Sequence, residues 1–216
     1  MQTNALRAMG CPGRKPRTTA FGGSFSSTVS KLRQEMRAEL KTLQRETGIT
    51  FIFVTHDQEA LTMSDRIAVM AEGRVQQIGA PDAIYEHPVN RFVAGFIGET
   101  NLLRARASRL EEGLARCALD GGGVLLAEAD EARPDQPVTL SLRPEKVRLV
   151  EERGADLAGT IEDVVYLGTD SQVSVRLDGG TRLVARVQNA WRDRRFGRGE
   201  RVGLAIRPGA ARVLAD

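Results

Sequence analysis

The chain has 216 residues, 41% of them apolar and 27% charged, with a net charge of +3. That is core material for one medium domain or two small ones, and too even a charge balance to imply a polyanionic partner by itself. Two cysteines, Cys11 and Cys117, exclude a disulfide framework, no Cys/His spacing suits a metal, and no stretch nears the ~20 apolar residues that span a bilayer.

Residues 1–29 read as a leader without hydrophobic period. Gly10-Cys-Pro-Gly-Arg-Lys-Pro-Arg-Thr-Thr19 and Phe21-Gly-Gly-Ser-Phe-Ser-Ser27 are dense in turn residues. No acid precedes Glu35, while Arg7, Arg14, Lys15, Arg17, Lys31 and Arg33 do. A solvated, weakly ordered arm accounts for this pattern. No apolar run at the N-terminus suits a signal peptide, and a reducing compartment fits the cysteine usage.

From Ser30 to Glu46 the spacing of Leu32, Met36, Leu40 and Leu43 predicts an amphipathic helix, with Ser30 as N-cap and Gly48 as stop. Ile49-Thr-Phe-Ile-Phe-Val-Thr55 is β-branched and aromatic, and predicts a strand buried on both faces of a parallel sheet. A short helix to about Met63 follows. Arg66–Met70 and Arg74–Ile78 then form a hairpin about Glu72-Gly73, and two helical pieces come at Pro81–Glu86 and Asn90–Phe96. From about Asn101 the pattern is all-β. Strands are expected at Val138–Leu142, Lys146–Val150, Gly159–Tyr166, Val173–Leu177, Leu183–Val187 and Glu200–Ile206, the fourth and fifth joined through Asp178-Gly-Gly180. Short strands punctuated by glycine predict one small barrel.

The residue that stands out chemically is His56, at the carboxyl end of the expected strand, where ligands bind in open α/β sheets. An imidazole there can donate to a terminal phosphate oxygen. On its own a histidine after a strand is more often structural. His87, between Glu86 and Pro88, reads as part of a surface turn.

The runs around His56 carry a resemblance. Leu32-Arg-Gln-Glu-Met36, Ile49-Thr-Phe-Ile-Phe-Val-Thr-His-Asp-Gln58, Ala60-Leu-Thr-Met-Ser-Asp-Arg-Ile67, Gln77-Ile-Gly-Ala-Pro81, Ile84-Tyr-Glu-His-Pro88 and Phe92-Val-Ala-Gly-Phe-Ile-Gly98 resemble the ATP-binding-cassette ATPases of bacterial importers, the polyamine type most closely. Leu142-Arg-Pro-Glu-Lys-Val-Arg148, Tyr166-Leu-Gly-Thr169 and Arg207-Pro208 resemble the family's appended oligomer-binding-like (TOBE) domain. The resemblance implies an α/β remnant of a P-loop cassette at 30–100, after the leader at 1–29, and a mostly-β TOBE-like barrel for regulation or dimerisation at 101–216. It implies ATP and Mg²⁺ as the family's cofactors. It makes His56 the switch histidine that contacts the γ-phosphate, flanked by Asp57 and Gln58. Two transmembrane permease subunits and a second ATPase subunit are the implied partners, with a periplasmic solute-binding protein acting indirectly and no nucleic acid. The implied place is cytoplasmic, peripheral on the inner face of the cell membrane.

The chain departs from that family in three ways. No Gly-x-x-x-x-Gly-Lys-Ser/Thr loop, no Leu-Ser-Gly-Gly-Gln signature and no acidic pair after an apolar strand occurs, so the 216 residues are not expected to hydrolyse ATP alone. Gln58-Glu59-Ala60 is one residue shorter than the family pattern, which turns a following helix face by ~100°. Ser26-Ser-Thr-Val29 stands where the family has Ser-Ala-Leu-Asp. A one-base shift across Gly13–Phe21 can encode the Leu-rich strand that the family has before its acidic pair, which suggests a frame-disrupted leader. Two other readings compete: a non-enzymatic β-module that docks to a cassette or a small ligand, and a nucleic-acid-binding barrel using Arg192, Arg194, Arg195 and Arg198 near Trp191 and Phe196.

Overall fold

The computed structural model describes residues 24–55, 59–130, 135–189 and 196–215. The trace groups into two units, Met1–Phe53 and Val54–Asp216. The first contributes helix α1, Ser24–Thr47, which starts six residues before the expected N-cap. Its backbone ends on Gly48 at φ 66°, whose N–H closes on the Gln44 carbonyl at 2.9 Å. A left-handed glycine at that place is the usual helix stop. The apolar stripe forms as predicted, but it is uncovered: Leu32, Met36, Leu40 and Leu43 are all exposed.

The expected strand at 49–55 is not a strand. These residues form no regular element, join no sheet, and leave Ile52 91% and Val54 92% exposed. β-branched and aromatic residues favour a strand because of what they pack against, and the described residues supply no neighbouring strand for this run.

The second unit begins with the short helix α2, Glu59–Met63, and the antiparallel hairpin β1, Ile67–Ala71, with β2, Arg74–Gly79. Glu72 and Gly73 turn it with both φ values positive, the conformation a two-residue hairpin loop requires. Helices α3, Pro81–Glu86, and α4, Arg91–Phe96, follow where expected. Pro81 opens α3 with a preset φ, and the Asn90 side chain caps α4 by accepting from the Val93 N–H at 2.9 Å. Ala60, Ile67, Val69, Ile84, Val93 and Ile97 bury together as a small core. Ala60 therefore faces inward despite the short Gln58-Glu59-Ala60 connection.

The β-region holds two sheets over one larger core. The strands are β3 Asn101–Glu111, β4 Leu114–Leu119, β5 Val124–Glu128, β6 Gln136–Leu142, β7 Val147–Val150, β8 Leu157–Tyr166, β9 Asp170–Leu177, β10 Arg182–Gln188, β11 Arg201–Ile206 and β12 Ala211–Leu214. A closed barrel runs β12-β5-β4-β3-β6, and a five-stranded sheet runs β10-β9-β8-β11-β7. One small barrel was expected; half of it is instead this second sheet. Ala105, Ala107, Ala115, Ala127 and Ala211 line the barrel, because five strands enclose too little space for larger side chains. Its seam is β12, antiparallel to β6 and parallel to β5.

Two contacts lock the sheets together. Asn101 is buried and bonds three ways: its amide donates to the Leu142 and Val184 carbonyls at 3.0 and 2.9 Å and accepts from the Val184 N–H at 2.7 Å. At the other end the Asp120–Gly123 turn meets the Asp178–Thr181 turn so closely that a Cβ on Gly179 falls on the Gly121 backbone.

Candidate functional site

His56, Asp57 and Gln58 lie outside the described residues. What the structure positions is the ground on their C-terminal side. α2 begins at Glu59, and its Ala60 packs with α3, α4 and β1. Trp191, Arg192, Arg194 and Arg195 also lie outside the described residues. Phe196 is partly buried and packs against the larger core.

The most strongly built polar site is at Arg143, where β6 leaves the barrel. Pro144–Lys146 forms a single 3₁₀ turn there, opened by Pro144. Arg143 is 3% exposed. Its Nη1 donates to the carbonyls of Ala94, Ile97 and Glu99 at 3.1, 2.9 and 3.1 Å. Its Nη2 and Nε donate to the Tyr85 carbonyl at 2.9 and 3.3 Å. The guanidinium also lies 4.0 Å from the centre of the Tyr85 ring. The six-residue helices α3 and α4 leave carbonyls unpaired at their C-terminal ends, and one cation satisfies both ends. Burial pushes the Arg143 guanidinium below its ordinary pKa, opposed by Tyr85, Glu145 and Glu86. The Tyr85 hydroxyl donates to Glu145 Oε1 at 2.5 Å, and burial together with that bond pushes Tyr85 up to about 12.

A ring of weaker ties surrounds this centre. Lys146 pairs with Glu86, Arg91 donates to Thr139, and the Ala215 N–H donates to the Val89 carbonyl at 3.0 Å. Arg212 reaches His87 Nδ1 at 3.2 Å and Asp130 at 2.5 Å, with Glu128 alongside at 3.6 Å. Next to that cluster is an open concavity of about 300 Å³ lined by Glu112, Glu128, Asp130, Leu114 and Arg212. His87 is thus part of the junction between the α3–α4 segment and the barrel, beyond the surface turn expected of it.

Among the described residues no three His, Cys, Asp or Glu side chains converge to hold a metal ion. No Gly-x-x-x-x-Gly-Lys-Ser/Thr run occurs in the 216 residues, and the histidine expected to face a phosphate lies outside the described ones. No helix among the described residues is long and apolar enough to cross a membrane. Cys117 is fully buried in the barrel, and burial raises its thiol to about 11. Sequence reasoning missed Arg143 and Asn101 as organising residues. Arg143-Pro144 was the available signal: a strand followed at once by a proline.

Residues 140–214 match the model of the TOBE domain. The spermidine/putrescine import ATP-binding protein of Mesorhizobium japonicum is 48% identical over 94% of this chain and 56% of its own length. Its counterpart from Pseudomonas fluorescens is 51% identical over 93% of this chain and 55% of its own length. That of Rubrobacter xylanophilus is 49% identical over 93% and 52%. A solved structure of the cytoplasmic molybdate-binding protein ModG aligns with 54% of this chain and 96% of its own at 20% identity and a TM-score of 0.48, below the level at which a likeness informs. The chain spans about half the length of the curated relatives it matches. Over nearly its whole length the chain is similar to the ATP-binding proteins of spermidine/putrescine import, and its residues 140–214 match the TOBE domain.

Proposed function

We propose that these 216 residues are the C-terminal part of the ATP-binding subunit of an ABC importer for polyamines or a related small solute. In this reading residues 30–100 are the far side of the cassette, with 1–29 as a leader, and 101–216 are the regulatory or dimerising β-domain. His56 is the switch histidine that contacts the γ-phosphate of Mg²⁺-ATP once the phosphate-binding half of the cassette is present. The subunit works beside a second ATPase subunit on two transmembrane permease subunits, supplied by a periplasmic solute-binding protein, at the cytoplasmic face of the membrane.

The observation that carries this reading is sequence identity near 50% sustained over more than nine-tenths of the chain. The exposed stripe of α1 and the unpaired apolar run at 49–54 support it, because each is a surface built to be covered. The 216 residues alone do not hydrolyse ATP, since the groups that clamp phosphate and metal are not among them.

Titrating the purified chain with Mg²⁺-ATP tests the first half of the proposal. No tight Mg²⁺-dependent binding and no turnover are expected, and turnover by the chain itself would overturn it. Adding the N-terminal half of the Pseudomonas fluorescens relative tests the second half. ATPase activity that returns with the wild-type chain and is lost with His56→Ala is the expected result. Failure of that half to bind, or activity indifferent to His56→Ala, contradicts the role assigned to His56. The closed barrel favours one alternative, a non-enzymatic module that docks to a partner cassette. Binding of the added half through residues 101–216 alone, without turnover, would establish it.

A further inference from the structure

We infer that Arg143 is the pivot of a rigid lever, residues 81–99, which couples the position of α2 to the strands of the β-barrel. The inference does not rest on the transport reading; it concerns how the fold carries a displacement from one end to the other.

The lever's far end is apolar. Ile84 of α3 and Val93 of α4 are wholly buried, Ile97 is 1% exposed, and all three pack with Ala60 of α2 and with Ile67 and Val69 of β1. Close packing of this kind moves as a unit when one member is pushed. Its near end is polar. Neither α3 nor α4 is long enough to satisfy all its own carbonyls, and four carbonyls at or just past their C-terminal ends, those of Tyr85, Ala94, Ile97 and Glu99, accept from one buried guanidinium immediately after β6. Five donors in one plane fix both helix ends relative to each other and to the strand behind them. A lysine at this position cannot do so, since it offers a single point with rotating donors.

The geometry also explains why the ties around Arg143 are secondary. Lys146–Glu86 is a partly exposed ion pair and Tyr85–Glu145 an exposed hydrogen bond, and ties in such settings hold weakly. Arg143 is the tie removed from water. A charge buried against carbonyl dipoles has no solvated alternative close by, so the arrangement resists partial opening. A shift of α2 is therefore passed to Arg143 and on to Leu142, Ser141 and, across the β6–β12 ladder, Ala211 and Arg212.

Amide NMR on the whole chain tests this. Ala60→Val overfills the small core beneath α2. In the wild-type background its chemical-shift changes are expected at Ile84, Val93 and Ile97, and also at Ser141, Leu142 and Arg212. With Arg143→Met they should persist at the first three and fall at least fivefold at the last three. Barrel shifts that survive Arg143→Met unchanged, or that never reach the barrel in the wild type, overturn the inference. Should Arg143→Met fail to fold, Arg143→Lys serves with hydrogen exchange as the readout. The lever amides at Ile84 and Val93–Ile97 should then exchange at least tenfold faster relative to Leu103, Leu140 and Val175. Equal acceleration of lever and barrel would show a residue that merely stabilises everything, and would also overturn the inference.

Discussion

The stretch 32–54 and the β-region hold similar apolar residues in similarly regular patterns, and the structure treats them in opposite ways. Leu103, Leu140, Val173 and Leu183 are at most 1% exposed; Leu32 is 60% exposed, Met36 54% and Ile52 91%. Antiparallel strands joined by hairpins bring their own neighbours, so a pattern of alternation is enough to bury a face. An amphipathic helix, or a run read as a parallel strand, depends on other elements. Periodicity thus records that a face is meant to be covered, and is silent on which residues cover it.

That contrast is open to attack, and the sharpest blow falls on the barrel. Leu140→Ala should cost about 2–5 kcal/mol in urea unfolding of the chain, because the surrounding strands cannot collapse into the hole. Asn101→Ala should cost about 1–3 kcal/mol by the same measurement, since the Val184 N–H and two carbonyls lose their partner out of water. Gly179→Ala should cost about 1–3 kcal/mol, as the turns must part to admit a methyl group. Leu40→Ala, at a position 38% exposed, should move the same midpoint by no more than about 0.5 kcal/mol. A Leu40→Ala effect as large as that of Leu140→Ala would erase the distinction.

A further effect, confined to alkaline conditions, is a pH dependence. Cys117 titrates near 11 when folded against an ordinary 9.0, so the folded state holds its proton longer than the unfolded chain. Its contribution is full below pH 9 and is lost as pH rises through about 11. Thermal melts of Cys117→Ala and wild type from pH 8 to 11 should converge towards the alkaline end. A difference that widens with pH would contradict the burial assigned to this thiol.

Much of the fold was legible where local chemistry decides it. Glu72-Gly73 marks a two-residue turn, Pro81 opens a helix, and Asp178-Gly179-Gly180 separates two alternating runs; the elements around all three stand within a residue or three of where the sequence puts them. β3, β4, β5 and β12 were not anticipated. Half of their buried apolar positions are alanine, as at Ala105, Ala107, Ala115 and Ala127, and alanine contrasts weakly with the polar residues between. The strand expected at 49–55 failed for the opposite reason: its propensity is strong, but propensity does not supply partners. At the site, His56 stands out because its flanking runs are distinctive. Arg143 does not, because its meaning lies in carbonyls 44 to 58 positions away.

The seam of the barrel bears on how the molecule is made. β12 holds β5 on one side and β6 on the other, and it follows every other described strand in the sequence. During synthesis the preceding strands emerge first and must wait with two open edges until residues 211–214 leave the ribosome. Open edges recruit whatever strand is nearby. The nascent chain is therefore vulnerable to mispairing until residues 211–214 arrive to close the barrel.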